Sequence, residues 1–528
     1  MMATTLKIGN YRSGMTQLPN NIMTHPLLSP RAMQARAVAK LGIGDVRLSA
    51  DQKARLVAGD IEMLSRQEIF PGLKNARYFG PQSSEMVGYR YFCPDIKVPS
   101  IDMRMGEVLN FAMPAWHFNT TGTDMFSGFA TVKHPWDNMR DPLAQSLVRL
   151  RALVEFCAKM GIPNHCWHDG DYVDLTQPIK DAEAQFTLVG DSMKELQDQS
   201  GIKTGWGTNQ FFAIPLYRKG AGTSPYMPAF IRAARQAKQS IDTAIKLGAK
   251  RFVFWGGREG IYHLLSTLTD REKKTLAAFL WMCVKHADAQ GFFANGGKFL
   301  IEPKGKEPTA HQYDKDVETC IAFLKENGLE KYFGFNVEVN HAYLAGNSAK
   351  HEFRMAIDRQ MLGGIDANQG NVFLGWDLDL YAADLQSGLD IGEAAYNNKG
   401  LQGGVINHDA KLQGFYMPEY PMSMALAVWA AQDSCTIGVW QAHFNALDGR
   451  VARMVADRYK TWEGDVAANI LAGNTTLDSL SPLALEMEGQ GLFETVPPDP
   501  YETMERIMAD QTIGLKQKIA AEVRRQGF

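Results

Sequence analysis
Apolar runs that end on a polar tip recur along this chain, and that pattern narrows the folds open to it. In Gly334-Phe335-Asn336-Val337-Glu338-Val339-Asn340-His341 a short run reaches a carboxylate, and an imidazole follows three residues later. Phe299-Leu300-Ile301-Glu302-Pro303-Lys304 repeats the design with a lysine after the acid. Gly364-Ile365-Asp366 and Val405-Ile406-Asn407-His408-Asp409 repeat it again. Phe252-Val253-Phe254-Trp255 ends on an indole, and Asn164-His165-Cys166-Trp167-His168-Asp169-Gly170-Asp171 ends on a His and Asp pair. Short continuous apolar runs are the mark of strands buried on both faces. The stretches between them are long enough for a helix and two loops. Strand, polar tip, helix, strand is how a (β/α)8 barrel gathers a site at the C-terminal ends of its strands.

Taken in order, the pattern predicts strands at 108–117, 164–168, 202–208, 251–255, 298–302, 334–338, 363–366 and 404–409. Helical periodicity predicts helices at 50–68, 144–160, 179–199, 227–248, 270–289, 315–328, 349–361 and 421–432. With 528 residues the chain exceeds a bare barrel of roughly 250. The expected division is an N-terminal extension over 1–69, a TIM-barrel catalytic domain over 70–434 and a C-terminal helical oligomerisation arm over 435–528. Up to Gly44 the extension holds no Asp or Glu but several Lys and Arg residues, which resembles an organellar transit peptide; a surface arm is the reading preferred here. Pro482, Pro497, Pro498 and Pro500 are expected to divide the last hundred residues into helices and loops.

Composition excludes several functions. A net charge of −3 and 21% charged residues give no basic footprint for nucleic acid or an anionic membrane. No apolar run approaches the roughly 18 residues that span a bilayer. Six cysteines without paired spacing read as buried thiols in a reducing compartment, and the cytoplasm is the expected location.

The tips carry the chemistry. Glu302, Glu338, Asp366 and Asp409 would converge at one mouth, where four ionised carboxylates need compensating cations. His341 would lie in a loop beyond Glu338, within reach of the same ion. Mixed oxygen and nitrogen donors suit Mg, Mn or Co better than Ca. Asp377 and Asp379 stand two residues apart, so in an extended segment they point the same way and could hold a second ion with Glu338 as the bridge. Alone, that pair reads more readily as a solvated loop. Lys304 suits a point-charge donor to a carbonyl or hydroxyl oxygen, or a plain surface lysine. His168 with Asp171 suits proton transfer, or a structural histidine at a strand end. Trp116, Trp255 and Phe126 could form a dry wall against the C–H face of a sugar, though aromatics at strand ends are often core. Thr208 would lie near the mouth of its strand. His117, His165 and His408 read as structural or supporting residues.

These segments, in this order and spacing, resemble the longer bacterial class of the D-xylose (glucose) isomerase family. The resemblance runs from about Phe70 to Leu480. It is carried by Ala115-Trp116-His117, Asp124-Met125-Phe126, His168-Asp169-Gly170-Asp171, Trp206-Gly207-Thr208 and Trp255-Gly256-Gly257-Arg258-Glu259-Gly260. It continues through Ile301-Glu302-Pro303-Lys304, Glu338-Val339-Asn340-His341, Ile365-Asp366-Ala367-Asn368, Trp376-Asp377-Leu378-Asp379 and Asn407-His408-Asp409-Ala410-Lys411. The resemblance implies an aldose–ketose isomerase with two divalent ions per subunit, acting on D-xylose, with D-glucose as a second substrate, through ring opening and a 1,2-hydride shift. It implies that Glu302, Glu338, Asp366 and Asp409 hold one ion, and Glu338, His341, Asp377 and Asp379 the other. It gives ring opening to His168 with Asp171, and the C1 oxygen to Lys304. Trp116, Thr208 and Trp255 would line the substrate, and Phe126 would project into a neighbouring subunit of a homotetramer.

The chain departs from the family where Gln369 and Asn371 replace the usual Arg and Asp, and where Gln413-Gly414 stand in place of a pair of arginines. Those changes keep open a related two-metal isomerase or epimerase acting on another sugar or sugar derivative. A metal-dependent endonuclease of the same broad fold would need more histidine ligands and a basic face. A non-catalytic relative would have lost ligands, yet every matched position is filled.

Overall fold
The computed structural model describes residues 48–119, 128–130, 132–413 and 419–528. Its centre is a closed barrel of eight parallel strands: β1 (Phe111–Pro114), β2 (Asn164–His168), β3 (Lys203–Thr208), β4 (Arg251–Trp255), β5 (Lys298–Glu302), β6 (Phe333–Glu338), β7 (Leu362–Asp366) and β8 (Ile406–Asn407). Each strand pairs with the next, and β8 closes onto β1 through Ile406 beside Phe111. The registers put Glu338 beside Asp366 and Asp366 beside Asn407, so the polar tips fall at one level.

The barrel is filled by Ala112, Cys166, Trp206, Val253, Leu300 and Val405, with Trp116 resting on top. Trp206 is large, and the strand offsets it with Gly205, where a Cβ would lie 2.9 Å from Val405. The remaining apolar residues join the strands to an outer ring of helices. These are α1 (Pro142–Met160), α2 (Ile179–Ser200), α3 (Met227–Lys246), α4 (Thr269–Ala289), α5 (Val317–Glu326), α6 (Ala349–Ile357), α7 (Leu385–Asn397) and α8 (Met422–Asp448). Local chemistry fixes their ends. Asp141 caps α1 by accepting from Ala144 N, and Pro142 occupies its first turn.

Several boundaries differ from expectation. The helix expected at 50–68 is two helices, Ala50–Arg55 and Ala58–Ser65, because Leu56 and Val57 are extended. The break is held by Asp60, fully buried, which accepts from the backbone N–H groups of Val57, Arg140 and Asp141. β1 is shorter than the run 108–117, since Ala115–Asn119 already turns helically above it. Helix α7 was not anticipated, although Asp384 caps it at Ser387 N. Helix α8 continues past 432 to Asp448, through the boundary expected at 434. The polar residues beyond 431 are satisfied inside the fold. Gln432 meets His408, Asp433 accepts from the N–H groups of Arg90, Tyr91 and Phe92, and the Ser434 hydroxyl donates to Asp384 O. Helices α7 and α8 pack so closely that a Cβ on Gly438 would sit 2.9 Å from Leu389 Cα.

Beyond α8 follow α9 (Arg450–Tyr459), α10 (Asp465–Leu471), α11 (Leu477–Gly489), α12 (Tyr501–Ile513) and α13 (Leu515–Arg525). Pro482 lies inside α11 rather than dividing two helices, whereas Pro497, Pro498 and Pro500 separate α11 from α12. Helix α13 buries Ile519 and Val523, and Gln526 just beyond it bonds both backbone groups of Lys97. Among the described residues no helix is long and apolar enough to cross a membrane.

Candidate metal centre and active site
The strand tips assemble three overlapping donor groups: Glu302, Glu338 and His341; Glu302, Glu338, Asp366 and Asp409; and Glu338, Asp377 and Asp379. Glu338 belongs to all three. All the expected metal ligands are therefore gathered at one mouth. His341 is not in a loop, however. It sits in the short helix Val339–Ala345 that starts directly on β6, and it reaches back to Glu338 Oε2 at 3.1 Å and Glu302 Oε1 at 3.5 Å through Nδ1. Its Nε2 meets Asp377 Oδ2 at 2.9 Å. Asp377 and Asp379 do not lie on a regular extended segment either, since Asp379 has a positive φ of 48°.

Asparagines organise the acids. Asn336 donates to Glu302 Oε2 at 3.1 Å and Asp366 Oδ2 at 2.8 Å, while Asn407 donates to Asp366 Oδ1 at 2.9 Å. Asn368 donates to Glu338 Oε1 at 2.6 Å, and Asn340 to Asp377 Oδ1. In the sequence Asn336 stands inside an apolar run. Its position in that run, beside the pleat of the acidic tips, was the available signal.

Electrostatics show that the site asks for cations. Burial, reinforced by neighbouring carboxylates, raises Glu338 and Asp366 well above the usual range. Burial and Asp377 push Asp379 up to about 7. Glu338 Oε2 and His341 Nδ1 are buried without a hydrogen-bond partner although they face each other. In the tautomer whose Nε2–H points at Asp377, Nδ1 would present a lone pair toward Glu302 and Glu338. Lone pairs converging in a dry place, on oxygen and imidazole nitrogen, fit a divalent cation.

The remaining candidates ring this centre. Burial alone would lower Lys304, but Asp377, Glu307 and Glu338 outweigh it and hold the ammonium above its ordinary range. Its Nζ lies 2.9 Å from Asp377 Oδ2, 3.1 Å from Glu307 Oε2 and over the Trp255 ring. His168 is buried, which would lower it, but Asp171 raises it past its usual value. Asp171 Oδ2 accepts from His168 N at 2.7 Å and stands 3.7 Å from Nδ1. Trp116 meets the His168 ring edge-on at 4.6 Å and donates to Asp409 Oδ1 at 2.7 Å. Phe212, which sequence reasoning missed, closes the wall: its ring lies 5.7 Å from His168 and 4.7 Å from Trp255. Thr208 ends β3, with its hydroxyl given to Val253 O at 2.7 Å. Phe126 lies outside the described residues.

No protein-family model matches the chain. Curated relatives do. A xylose isomerase of Thermotoga maritima is 35% identical over 423 residues, which is 80% of this chain and 93% of that protein. One of Geobacillus stearothermophilus is 37% identical over 420 residues, 79% of this chain and 93% of that protein. The chain belongs to the xylose isomerase family. The family is one of intramolecular oxidoreductases that interconvert aldoses and ketoses. Solved structures align more loosely, as with an L-ribulose 3-epimerase at TM-score 0.43 and 12% identity over 65% of this chain and 98% of that one. At that distance it bears on neither substrate nor mechanism. Neutral Gln413 donates to Leu378 O at 2.7 Å and so holds the loop between Asp377 and Asp379.

Proposed function
We propose that the protein is a two-metal aldose–ketose isomerase that converts D-xylose to D-xylulose, and D-glucose to D-fructose by the same chemistry. The observation that carries this is the sharing of Glu338 by every donor group at the strand tips. Glu302, Glu338, Asp366 and Asp409 would hold one ion, and Glu338, His341, Asp377 and Asp379 the other. Mg, Mn or Co fits these oxygen and imidazole donors. When bound, the ions supply positive charge to the sugar oxygens on either side of the migrating hydride.

The chain does the rest. His168, kept basic by Asp171, takes and returns a proton at the ring oxygen and anomeric hydroxyl as the sugar opens. Lys304 donates from Nζ to the C1 oxygen, held in place by Asp377 and Glu307. Trp116, Phe212 and Trp255 exclude water while hydride passes from C2 to C1 of the open chain and the proton of the C2 hydroxyl passes to the C1 oxygen. Thr208 supports the mouth beside them, and Phe126 would reach a neighbouring subunit. A cytoplasmic homotetramer is the assembly proposed with this reading, supported by exposed apolar residues such as Leu265 and Phe373.

A related isomerase or epimerase acting on another sugar is the second reading, favoured by the neutral Gln369 and Gln413 around the Asp377–Asp379 loop. One assay separates the two. Chelator-stripped protein is given xylose, glucose, ribose, arabinose or rhamnose with and without Mg, Mn or Co, and ketose is measured. Metal-dependent xylulose formation, abolished in Glu338→Gln, is the expected result. Turnover confined to another sugar selects the second reading, and silence across the panel overturns the xylose reading.

A further inference from the structure
His117 stands on the first turn above β1, in the short helix Ala115–Asn119, with its side chain 15% exposed. Its Nε2 lies 2.8 Å from Asp409 Oδ1 and 3.5 Å from Asp379 Oδ2. Those carboxylates belong to different donor groups. Asp409 stands with Glu302, Glu338 and Asp366, whereas Asp379 stands with Glu338 and Asp377. Glu338 joins the groups from the floor of the mouth, on β6. His117 joins them from β1, and no other described imidazole touches both acids.

The neighbouring hydrogen bonds say what that position does. Asp409 Oδ1 accepts from Trp116 Nε1 at 2.7 Å as well as facing His117 Nε2. One oxygen is thereby occupied by ring N–H groups, which leaves Oδ2 to face a cation. Asp379 Oδ2 accepts from Lys411 Nζ at 2.7 Å, which likewise leaves Oδ1. Both acids are turned by donors behind them, and His117 is the group that both turns share. A carboxylate fixed before its ion arrives loses less freedom on binding, so such donors set affinity without touching the ion.

We propose that His117 is a positioning residue that couples the two cation sites, so that an ion held by Asp409 also orders Asp379 for the second. The proposal rests on the two-metal reading above. It concerns the aim of two carboxylates and involves no proton transfer. Removing the imidazole takes from each acid the one neighbour they share, while Trp116 and Lys411 remain, so both affinities should fall and the dependence of one site on the other should fade. A residue that only packed the turn would change neither.

The test is a titration of chelator-stripped full-length protein with Mn, following free Mn by electron paramagnetic resonance and heat by calorimetry. The wild type should bind two ions, the second more tightly once the first is in place. His117→Leu should weaken both by about tenfold or more and bind them independently. His117→Gln, whose amide N–H can reach the same place, should restore most of the affinity and the coupling. Circular dichroism of each stripped variant checks that the fold is kept, and Phe118→Leu is a packing control on the same turn. Two ions bound by His117→Leu with wild-type affinities and coupling would overturn the proposal and leave the two-metal reading intact. Fewer than two ions bound by the wild type would overturn the two-metal reading instead, and this proposal with it.

Discussion

Lys304 and Asp377 form an ion pair of 2.9 Å in which 8% and 13% of the respective side chains are exposed. Lys304 comes from the loop after β5 and Asp377 from the loop after β7, so the pair spans the mouth. Breaking a buried pair strands the surviving charge, at a cost of roughly 3–5 kcal/mol. Lys304→Met should therefore lower the melting temperature as well as turnover. Loss of one donor to a charge-bearing oxygen typically costs about a hundredfold or more in kcat. Lys304→Arg should not rescue it, because a planar guanidinium does not fit where a compact ammonium sits over Trp255. Steady-state kinetics with a melting curve decide the matter; retention of wild-type kcat in Lys304→Met would remove Lys304 from the chemistry.

Phe212 lies edge-on between His168 and Trp255, at 5.7 and 4.7 Å. It is half-buried on the loop after β3, so trimming it costs the fold little and the wall a great deal. Phe212→Ala should raise KM and lower kcat together, by about tenfold each, through lost apolar contact and admitted water. Phe212→Trp should retain most of the activity. An unchanged KM in Phe212→Ala would place the sugar elsewhere.

How much of this was readable beforehand depends on what kind of interaction set each feature. The strands were readable because buried parallel strands keep their apolar runs whatever surrounds them, and the observed β2, β4 and β5 match the expected ranges. The acidic tips were readable for the same reason, since Glu302, Glu338 and Asp366 each end a strand. Features set by tertiary hydrogen bonds were not. Asp433 inside α8 looks like a helix end until Arg90, Tyr91 and Phe92 are seen donating to it from far along the chain. Asp60 breaks a helix by capping Val57 and reaching Arg140. Phe212 gave no periodic signal because it sits on a loop, and its role exists only where β2 and β4 bring His168 and Trp255 beside it.

His165, in β2, is buried with Nδ1 unpartnered, and burial lowers its pKa from 6.5 to about 4. The sign follows from linkage. Between those values the unfolded chain binds a proton at this site and the folded chain does not, so stability falls as pH drops below 6.5. From pH 7 to pH 5 the loss at this one group is about 2 kcal/mol. His165→Phe should lose correspondingly less stability over that interval, even if its stability at pH 7 is lower. Denaturant unfolding at the two pH values measures the difference. An unchanged acid slope in the variant would show that His165 is already protonated when folded.

Asn336 is fully buried inside β6, and its amide is the hydrogen-bonded link between Glu302 and Asp366. Without its N–H groups the two acids face each other with no donor between them, and each is free to turn away from the ion they would share. Asn336→Leu, close in volume, should weaken that ion by about tenfold to a hundredfold. The ion beside Asp377 and Asp379 should be affected less, reached only through the coupling between the sites, because Asn340 and Lys411 still donate to those acids. Asn336→Asp should be worse for stability, since it sets a third carboxylate among two whose pKa burial already raises. A two-site Mn titration separates the effects. Equal weakening of both sites in Asn336→Leu would mean that the amide supports the whole mouth rather than the pair of acids it touches.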